Sequence, residues 1–233
     1  MVRNLAIIPA RSGSKRIPDK NIHPFAGKPL LAWSVGHALE SGVFDRVYVS
    51  TDSERYAEIA REHGAWVPFL RDAGADDFAT VAQVVLRELD RIEAHEGVCY
   101  DNVAVIQPTC PLCSSATIRG AYDEFLRRGT DMMIPCFPFS YGNPWWAFEL
   151  TEEGRGRFLF DTPDKSRSQD RPQLYCPTGA IVFAKTAAFR ANPSPYGEGR
   201  SFYPIPWEQG FDIDEPQDIV MGETLFRIAN NKA

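Results

Sequence analysis

A basic loop of small residues follows the first apolar segment, and it constrains the fold more than any other feature of the chain. Residues 5–10 read Leu-Ala-Ile-Ile-Pro-Ala, which predicts a buried strand. Four cations follow it: Arg11, Lys15, Arg16 and Lys20. The small residues Ser12, Gly13 and Ser14 let backbone N–H groups approach an anion that the cations neutralise. The pattern predicts a polyphosphate site at a strand end, the alternative being a solvated surface loop.

Composition excludes several classes of protein. The net charge of −6 argues against general nucleic-acid binding, so the cations of the loop point to a small anion. No apolar run reaches the roughly 18 residues of a membrane span, and no secretory segment precedes Arg11. The odd number of cysteines, 5, without an export signal favours reduced thiols in the cytoplasm. Cys110 and Cys113 form a Cys-x-x-Cys pair without a second pair, which favours buried thiols over zinc or redox chemistry.

Strand and helix patterns alternate along most of the chain. Apolar runs predict strands at residues 5–8, 46–50, 65–70, 102–107, 131–136 and 179–184. Helical periodicity predicts helices at residues 30–40, 53–63, 79–94, 115–127 and 214–229. This alternation predicts an α/β fold of three layers, in which helices cover a doubly wound, mostly parallel, Rossmann-like sheet. In such a sheet ligands bind at the carboxyl ends of the strands.

Residues 137–175 differ from the rest of the chain. They are rich in proline, glycine, charge and aromatic side chains, among them Tyr141, Trp145, Trp146 and Phe148. A long irregular stretch inside a compact domain is usually functional or an interaction arm. We therefore expect a single domain spanning residues 1–233, with 137–175 as an extension carrying short strands at 146–150 and 157–160. The aromatic side chains either line a ligand pocket or contact a second subunit.

Six motifs, in order, resemble the acylneuraminate cytidylyltransferases (CMP-sialic acid synthetases), with their neuraminic, legionaminic and pseudaminic acid branches. They are Ala10-Arg11-Ser12-Gly13-Ser14-Lys15-Arg16-Ile17-Pro18-Asp19-Lys20-Asn21, Ser50-Thr51-Asp52, Gln107-Pro108-Thr109-Cys110-Pro111-Leu112, Arg167-Ser168-Gln169-Asp170, Gly179-Ala180-Ile181 and Asp212-Ile213-Asp214. The resemblance implies a cytoplasmic nucleotidyltransferase. It would transfer CMP from CTP to the anomeric hydroxyl of a nine-carbon 2-keto (sialic-type) acid and release pyrophosphate. It also implies Mg²⁺ or another divalent cation, and a homodimer that uses the 137–175 arm.

The same resemblance implies roles for individual residues. Nucleotide contacts fall on Arg11, Ser12, Gly13, Ser14, Lys20, Asn21, Arg71 and Thr80. Catalytic roles fall on Arg11, Lys15, Lys20 and Asp214. Contacts to the sugar acid fall on Gln107, Arg167, Gln169 and Tyr175. The residues alone leave other interpretations open, among them a local turn at Asn21, a surface cation at Arg71 and a polar strand end at Gln107.

Asp212 and Asp214 are the candidate metal ligands. Because they are two apart in an extended segment, alternation places both side chains on one face. Two carboxylates beside a triphosphate suit Mg²⁺, which completes its shell with phosphate oxygens and water. The alternative is a helix N-cap, because Asp214-Glu215-Pro216 also has the composition of a helix start.

The sequence departs from the neuraminic and legionaminic branches at three positions. Members of these branches often read Arg-Arg-Gln-Asp and later Arg-x-Asn-Gly-Ala, where this chain has Ser168, Cys176 and Thr178. Two positive charges are therefore missing from the expected sugar pocket, and Arg171 or Lys165 is a candidate replacement. The departure keeps open a Kdo-type cytidylyltransferase, a legionaminate guanylyltransferase and a non-catalytic nucleotide-binding relative.

Overall fold

The strands of the protein form one large sheet and two short hairpins. The computed structural model describes residues 2–71, 80–140, 142–160, 167 and 170–230. The strands are β1 Asn4–Pro9, β2 Pro24–Phe25, β3 Lys28–Pro29, β4 Arg46–Ser50, β5 Asn102–Ile106, β6 Met132–Pro138, β7 Phe148–Leu150, β8 Gly156–Phe158, β9 Tyr175–Pro177, β10 Ile181–Lys185 and β11 Arg200–Pro204. The helices are α1 Leu30–Ser41, α2 Glu54–Glu62, α3 Val81–Glu96, α4 Ser115–Arg128, α5 Thr186–Ala191 and α6 Pro216–Asn230.

The large sheet has 7 strands in the order β11-β6-β10-β5-β1-β4, with β9 paired to β6. Strand β1 is parallel to both β4 and β5, and β11 is parallel to β6. Strand β10 is antiparallel to both of its neighbours, so β5 and β6 run in the same direction. Only β9 and β10 therefore oppose the other strands, and the expected mostly parallel sheet is confirmed.

Helices cover both faces of the sheet, and the side chains of β1, an interior strand, alternate between the two faces. Ala6 and Ile8 of β1 belong to the core with α1, α2 and α4, whereas Leu5 and Ile7 belong to the core with α3 and α5. All four side chains are fully buried. This alternation produces the three layers that the sequence predicts. Among the described residues, no helix is long and apolar enough to cross a membrane.

The predicted strand at residues 65–70 is wrong. The segment forms only an isolated parallel bridge between Trp66 and Tyr48. Pro68 follows two residues later and cannot donate a ladder hydrogen bond, so the pairing along the outer edge of β4 ends there. The sequence analysis also missed β9, β11 and α5, which lie in segments without strong periodicity.

A small third core holds α6 against the segment that precedes it. This core contains Ile17, Phe25, Leu30 and Ile213, each buried. Gly222 of α6 faces it, and a Cβ at that position would lie 2.9 Å from Cε2 of Phe25. Helix α6 thus lies so close to this core that position 222 has no room for a side chain.

Gly222→Ala should lower the free energy of unfolding by about 1–2 kcal/mol, because overpacking outweighs the better helix propensity of alanine. Gly36→Ala is the matched control, since a Cβ there would meet nothing within 4 Å in the interior of α1. It should raise stability by about 0.5–1 kcal/mol. Urea denaturation measures both changes, and a stabilising Gly222→Ala would contradict the described packing of α6.

Candidate active site

A cavity of about 600 Å³ opens where β1 and β5 end. It collects residues from the first motif to the last, from Arg11 to Asp214. Its lining consists of Pro9, Arg11, Ser14, Lys15, Arg16, Lys20, Asn21, Arg71, Val81, Val84, Gln107, Pro108, Thr109, Gly179, Asp212 and Asp214. The cavity therefore lies at the strand ends, where an α/β sheet binds its ligands. Its rim is polar and carries both signs of charge.

The basic loop is held to the sheet by main-chain contacts. The N–H of Ala10 donates to the carbonyl of Ser50 at 2.8 Å, which continues the pairing of β1 with β4. The N–H of Ser12 donates to the carboxylate of Asp52 at 2.9 Å. Further along, the amide of Asn21 donates to the carbonyl of Arg11 at 3.0 Å and closes the loop on itself. Asn21 thus lines the cavity, and its amide also maintains the loop, as the turn interpretation suggested. Its contact with the nucleotide stays a prediction.

Lys20 joins the basic loop to the carboxyl-terminal acids. Its Nζ lies 2.8 Å from the carbonyl oxygen of Ile213 and 2.9 Å from Oδ1 of Asp214. Arg16 approaches the other carboxylate oxygen of Asp214 at 3.4 Å. The Lys20 ammonium holds the pKa of Asp214 below its usual value, so that this carboxylate is charged at neutral pH.

Asp212 and Asp214 share one face because the residue between them is anchored. Ile213 is fully buried in the third core, and its N–H donates to the carbonyl of Thr109 at 2.9 Å. Both aspartates line the cavity, as alternation predicts. Asp212 is exposed towards the cavity, yet the protein around its carboxyl displaces enough water to raise its pKa, and the charge of Asp214 raises it further.

The aspartate pair fits a divalent cation. The charge of Asp214 disfavours the charged form of Asp212, and a bound cation would relieve this repulsion. The described residues contain no cluster of three or more His, Cys, Asp or Glu side chains able to hold a metal. A cation at Asp212 and Asp214 would therefore take its remaining ligands from phosphate and water, as Mg²⁺ does.

Gln107 and Gly179 form the wall of the cavity beside β5 and β10. The N–H of Gln107 donates to the carbonyl of Ala180 at 3.2 Å, which fixes the backbone while the side chain faces the cavity. A Cβ at Gly179 would lie 3.6 Å from Cγ of Gln107, so the backbone of Gly179 runs beside the Gln107 side chain. The Gln107 amide supplies a neutral donor and acceptor on this side of the cavity.

Five described residues among the predicted contacts are not part of the cavity lining. Ser12 and Gly13 belong to the basic loop, of which Ser14 does line the cavity. Thr80 caps α3, where its hydroxyl accepts from the N–H of Gln83 at 3.3 Å. Arg167 is exposed, and its main chain forms hydrogen bonds with Asp170. Tyr175 of β9 lines a second, apolar cavity together with Tyr196 and Phe202. Gln169 lies outside the described residues, and its sugar contact stays a prediction.

The structure also reveals lining residues that sequence reasoning missed. Val81 and Val84 of α3 form an apolar wall of the cavity. The sequence pattern of an amphipathic helix predicts only that these valines are buried. The exposed fraction of Val81, 45 %, shows that this side chain faces an opening.

Cys110 and Cys113 are free and buried, and burial raises the pKa of Cys113 to about 12. This agrees with the expectation of plain thiols.

Thr178 does not face the cavity, although it stands where related sequences carry an asparagine. Its hydroxyl donates to the carbonyl of Gly210 at 3.1 Å and accepts from the N–H of Ala180 at 3.2 Å. These bonds link the turn before β10 to the segment that leads to Asp212. Thr178 therefore connects two segments of the protein and does not contribute its hydroxyl to the cavity.

Thr178→Val should lower the free energy of unfolding by about 1–3 kcal/mol, because it leaves a buried N–H and a buried carbonyl without partners. Thr178→Ser keeps the hydroxyl and should lose less than the valine variant. Chemical denaturation compares the two. Equal losses in both variants would show that packing of the methyl group, rather than the hydroxyl, stabilises the turn.

The fold and the cavity are those of an α/β enzyme that binds a nucleotide. Comparison with known sequences identifies the enzyme family. The sequence model of a family described as cytidylyltransferase matches residues 5–141. The chain is 34% identical over 233 residues to a pseudaminic acid cytidylyltransferase of Campylobacter jejuni, covering 100% of both chains. It is 32% identical over 236 residues to a CMP-N,N'-diacetyllegionaminic acid synthase of Legionella pneumophila, covering 97% of each.

The chain therefore belongs to the cytidylyltransferase family, and it is a nucleotidyltransferase. The resemblance noted from the six motifs is confirmed. Among solved structures, a CMP:2-keto-3-deoxy-manno-octonic acid synthetase complexed with CTP has a TM-score of 0.72. That match covers 97% of this chain and 99% of the other at 14% identity, and it establishes the shared fold.

Proposed function

We propose that the protein transfers CMP from CTP to the anomeric hydroxyl of a nine-carbon 2-keto sugar acid, of the pseudaminic or legionaminic type, and releases pyrophosphate. The observation that carries the proposal is the convergence of Arg11, Lys15 and Lys20 with Asp212 and Asp214 on one cavity. Full-length relatives named for pseudaminic and legionaminic acid support the substrate class. The match to a cytidylyltransferase model favours CTP over GTP.

Binding of the triphosphate follows from the charges of the basic loop. Arg11, Lys15 and Arg16 present cations on one side of the cavity, and Lys20 presents another beside Asp214. Charged hydrogen bonds to phosphate are stronger than neutral ones, and they hold the α-phosphorus in one place. The cations also stabilise the negative charge that grows on the leaving pyrophosphate.

In the reaction, the anomeric oxygen attacks the α-phosphorus and the bond from that phosphorus to the β-phosphate oxygen breaks. The hydroxyl proton passes to solvent, and pyrophosphate keeps the bonding electrons. Asp212 and Asp214 would hold Mg²⁺, which supplies charge neutralisation at the phosphates when bound. Gln107 also lines the cavity, where its amide is suited to orient the hydroxyls or carboxylate of the acid.

Pyrophosphate release with a panel of acids tests this function. Turnover is expected with CTP, Mg²⁺ and a pseudaminic or legionaminic acid, with little release from GTP or with Kdo. EDTA should abolish the turnover and added Mg²⁺ should restore it. Lys20→Met should lower kcat/KM by about 100-fold or more, because one preorganised cation at the phosphates is lost.

Lys185→Met is the matched control for Lys20→Met. The Lys185 ammonium donates to the carbonyl of Gly129 at 2.7 Å and approaches Asp131 at 3.2 Å. Lys185 pairs with Asn102 at the amino end of β5, the end of that strand opposite to the cavity. Its loss should leave kcat/KM unchanged. Turnover with GTP alone, or CTP binding without turnover on any acid, would refute the proposal.

We also propose that two copies of the chain associate through the arm. Strands β7 and β8 form a hairpin separate from the large sheet, with the rings of Phe148 and Phe158 5.6 Å apart. Large apolar side chains of the arm are exposed: Trp146, Phe148, Leu150, Phe158, Leu159 and Phe160. Arg171 stacks over Trp145 at 5.1 Å in the same region. Such a density of exposed aromatic surface is typical of an interface.

Multi-angle light scattering at micromolar concentration should give the mass of a homodimer. The double variant Leu150→Glu/Phe158→Glu should shift the protein towards the monomer, because burying unpaired charges at the interface is unfavourable. Val220→Glu serves as a control on an exposed position of α6. A wild-type protein that is monomeric under these conditions would refute the proposed association.

A further inference from the structure

The segment that follows β4 contacts the basic loop at both of its ends. At the start of the loop, Oδ1 of Asp52 accepts the N–H of Ser12 at 2.9 Å. At its end, the hydroxyl of Tyr56 donates to Oδ1 of Asp19 at 3.0 Å. Neither Asp52 nor Tyr56 lines the cavity. We name these two residues the loop anchor.

The contact at Asp19 has a conformational consequence. Asp19 adopts a left-handed backbone conformation, with φ 53° and ψ 33°. Residues with a side chain avoid this region, although aspartate enters it more readily than most. A hydrogen bond to the Asp19 carboxylate therefore favours a backbone that would otherwise be disfavoured. The next residue is Lys20, whose ammonium meets Asp214 at 2.9 Å.

One of the two anchor residues, Tyr56, is held in place because its ring is buried in the main core. The side chain of Tyr56 is 1% exposed and packs with β4, α1 and their neighbours. Its hydroxyl reaches out of the core to Asp19, and burial together with this bond raises the pKa of Tyr56, so that it remains a donor at neutral pH. Arg55 adds an exposed ion pair to Asp19 at 3.1 Å, which contributes little by itself.

We infer that Asp52 and Tyr56 are positioning residues that hold the basic loop in the conformation which binds the triphosphate of the substrate. They act through Ser12 and Asp19 without touching the nucleotide. The identity of the ligand rests on the proposed function, whereas the restraint on the loop rests on the contacts alone. A loop held at both ends has its cations in place before the ligand arrives.

Tyr56→Phe tests the inference, because it removes one hydroxyl from a buried ring and nothing else. Tyr100→Phe is the matched control: Tyr100 is also buried, and its hydroxyl donates to the carboxylate of Glu96. Tyr100 lies just before β5, at the end of that strand opposite to the cavity. Both variants should lose similar stability. Only Tyr56→Phe should raise the KM for CTP, by about five- to tenfold, with a smaller change in kcat.

Hydrogen exchange supplies a readout that needs no substrate. Peptides spanning residues 11–20 should exchange faster in Tyr56→Phe and in Asp52→Ala than in the wild type, with Tyr100→Phe unchanged in this segment. Asp52→Asn keeps an acceptor oxygen for Ser12 and should stay closer to the wild type than Asp52→Ala. These peptides report the restraint directly, since the loss of an anchor opens the loop locally.

Two outcomes would overturn the inference. One is equal exchange of residues 11–20 in Tyr56→Phe, Asp52→Ala and the wild type. The other is a rise in the KM for CTP that Tyr100→Phe shares. Failure of the proposed function is distinguishable from both, since a wild-type protein without turnover on CTP would still show whether the anchor restrains the loop.

Discussion

The ion pair between Lys20 and Asp214 is the contact on which the site depends, because it joins the two ends of the chain. The residues are 194 positions apart, and their charged atoms lie 2.9 Å apart. Asp214 is half exposed, so the pair adds little to the stability of the fold. Its effect is geometric: it places a cation of the basic loop beside the candidate metal ligands, where a metal–triphosphate needs both.

Three parts of the fold bring these charges together. The first part is the sheet. Strands β1 and β5 end at the same level, so the basic loop and Gln107 both begin at one edge of the sheet. The buried side chain of Ile213 turns its two neighbouring aspartates towards the cavity. The reversal of β10 completes the wall, because an antiparallel strand begins where its parallel neighbour ends and so delivers Gly179 to the same opening.

Residues beside the site divide into those that face the cavity and those that hold it in shape. Thr178, Asn21 and Thr80 belong to motifs or positions expected at the ligand, yet each uses polar atoms in bonds within the protein. Asn21 does both, because its amide closes the loop while the residue lines the cavity. Such bonds satisfy polar groups of the protein, and they fix the backbone from which the ligand contacts project.

The sequence by itself determined the layers of the fold and the chemistry of the site. Helices α1, α2, α3, α4 and α6 lie within two residues of their predicted bounds, because apolar periodicity and capping residues are local properties. The basic loop and the acidic pair were recognisable as well, since charge and spacing are written in the chain. Only the tertiary structure decided which residues meet. The bridge from Trp66 to β4 placed Pro68 where a donor was needed to continue the strand, and pairing of β9 with β6 directed Tyr175 to a second cavity. It also placed the hydroxyl of Tyr56 beside the carboxylate of Asp19, because contacts between residues far apart in sequence depend on how the whole sheet and its helices pack.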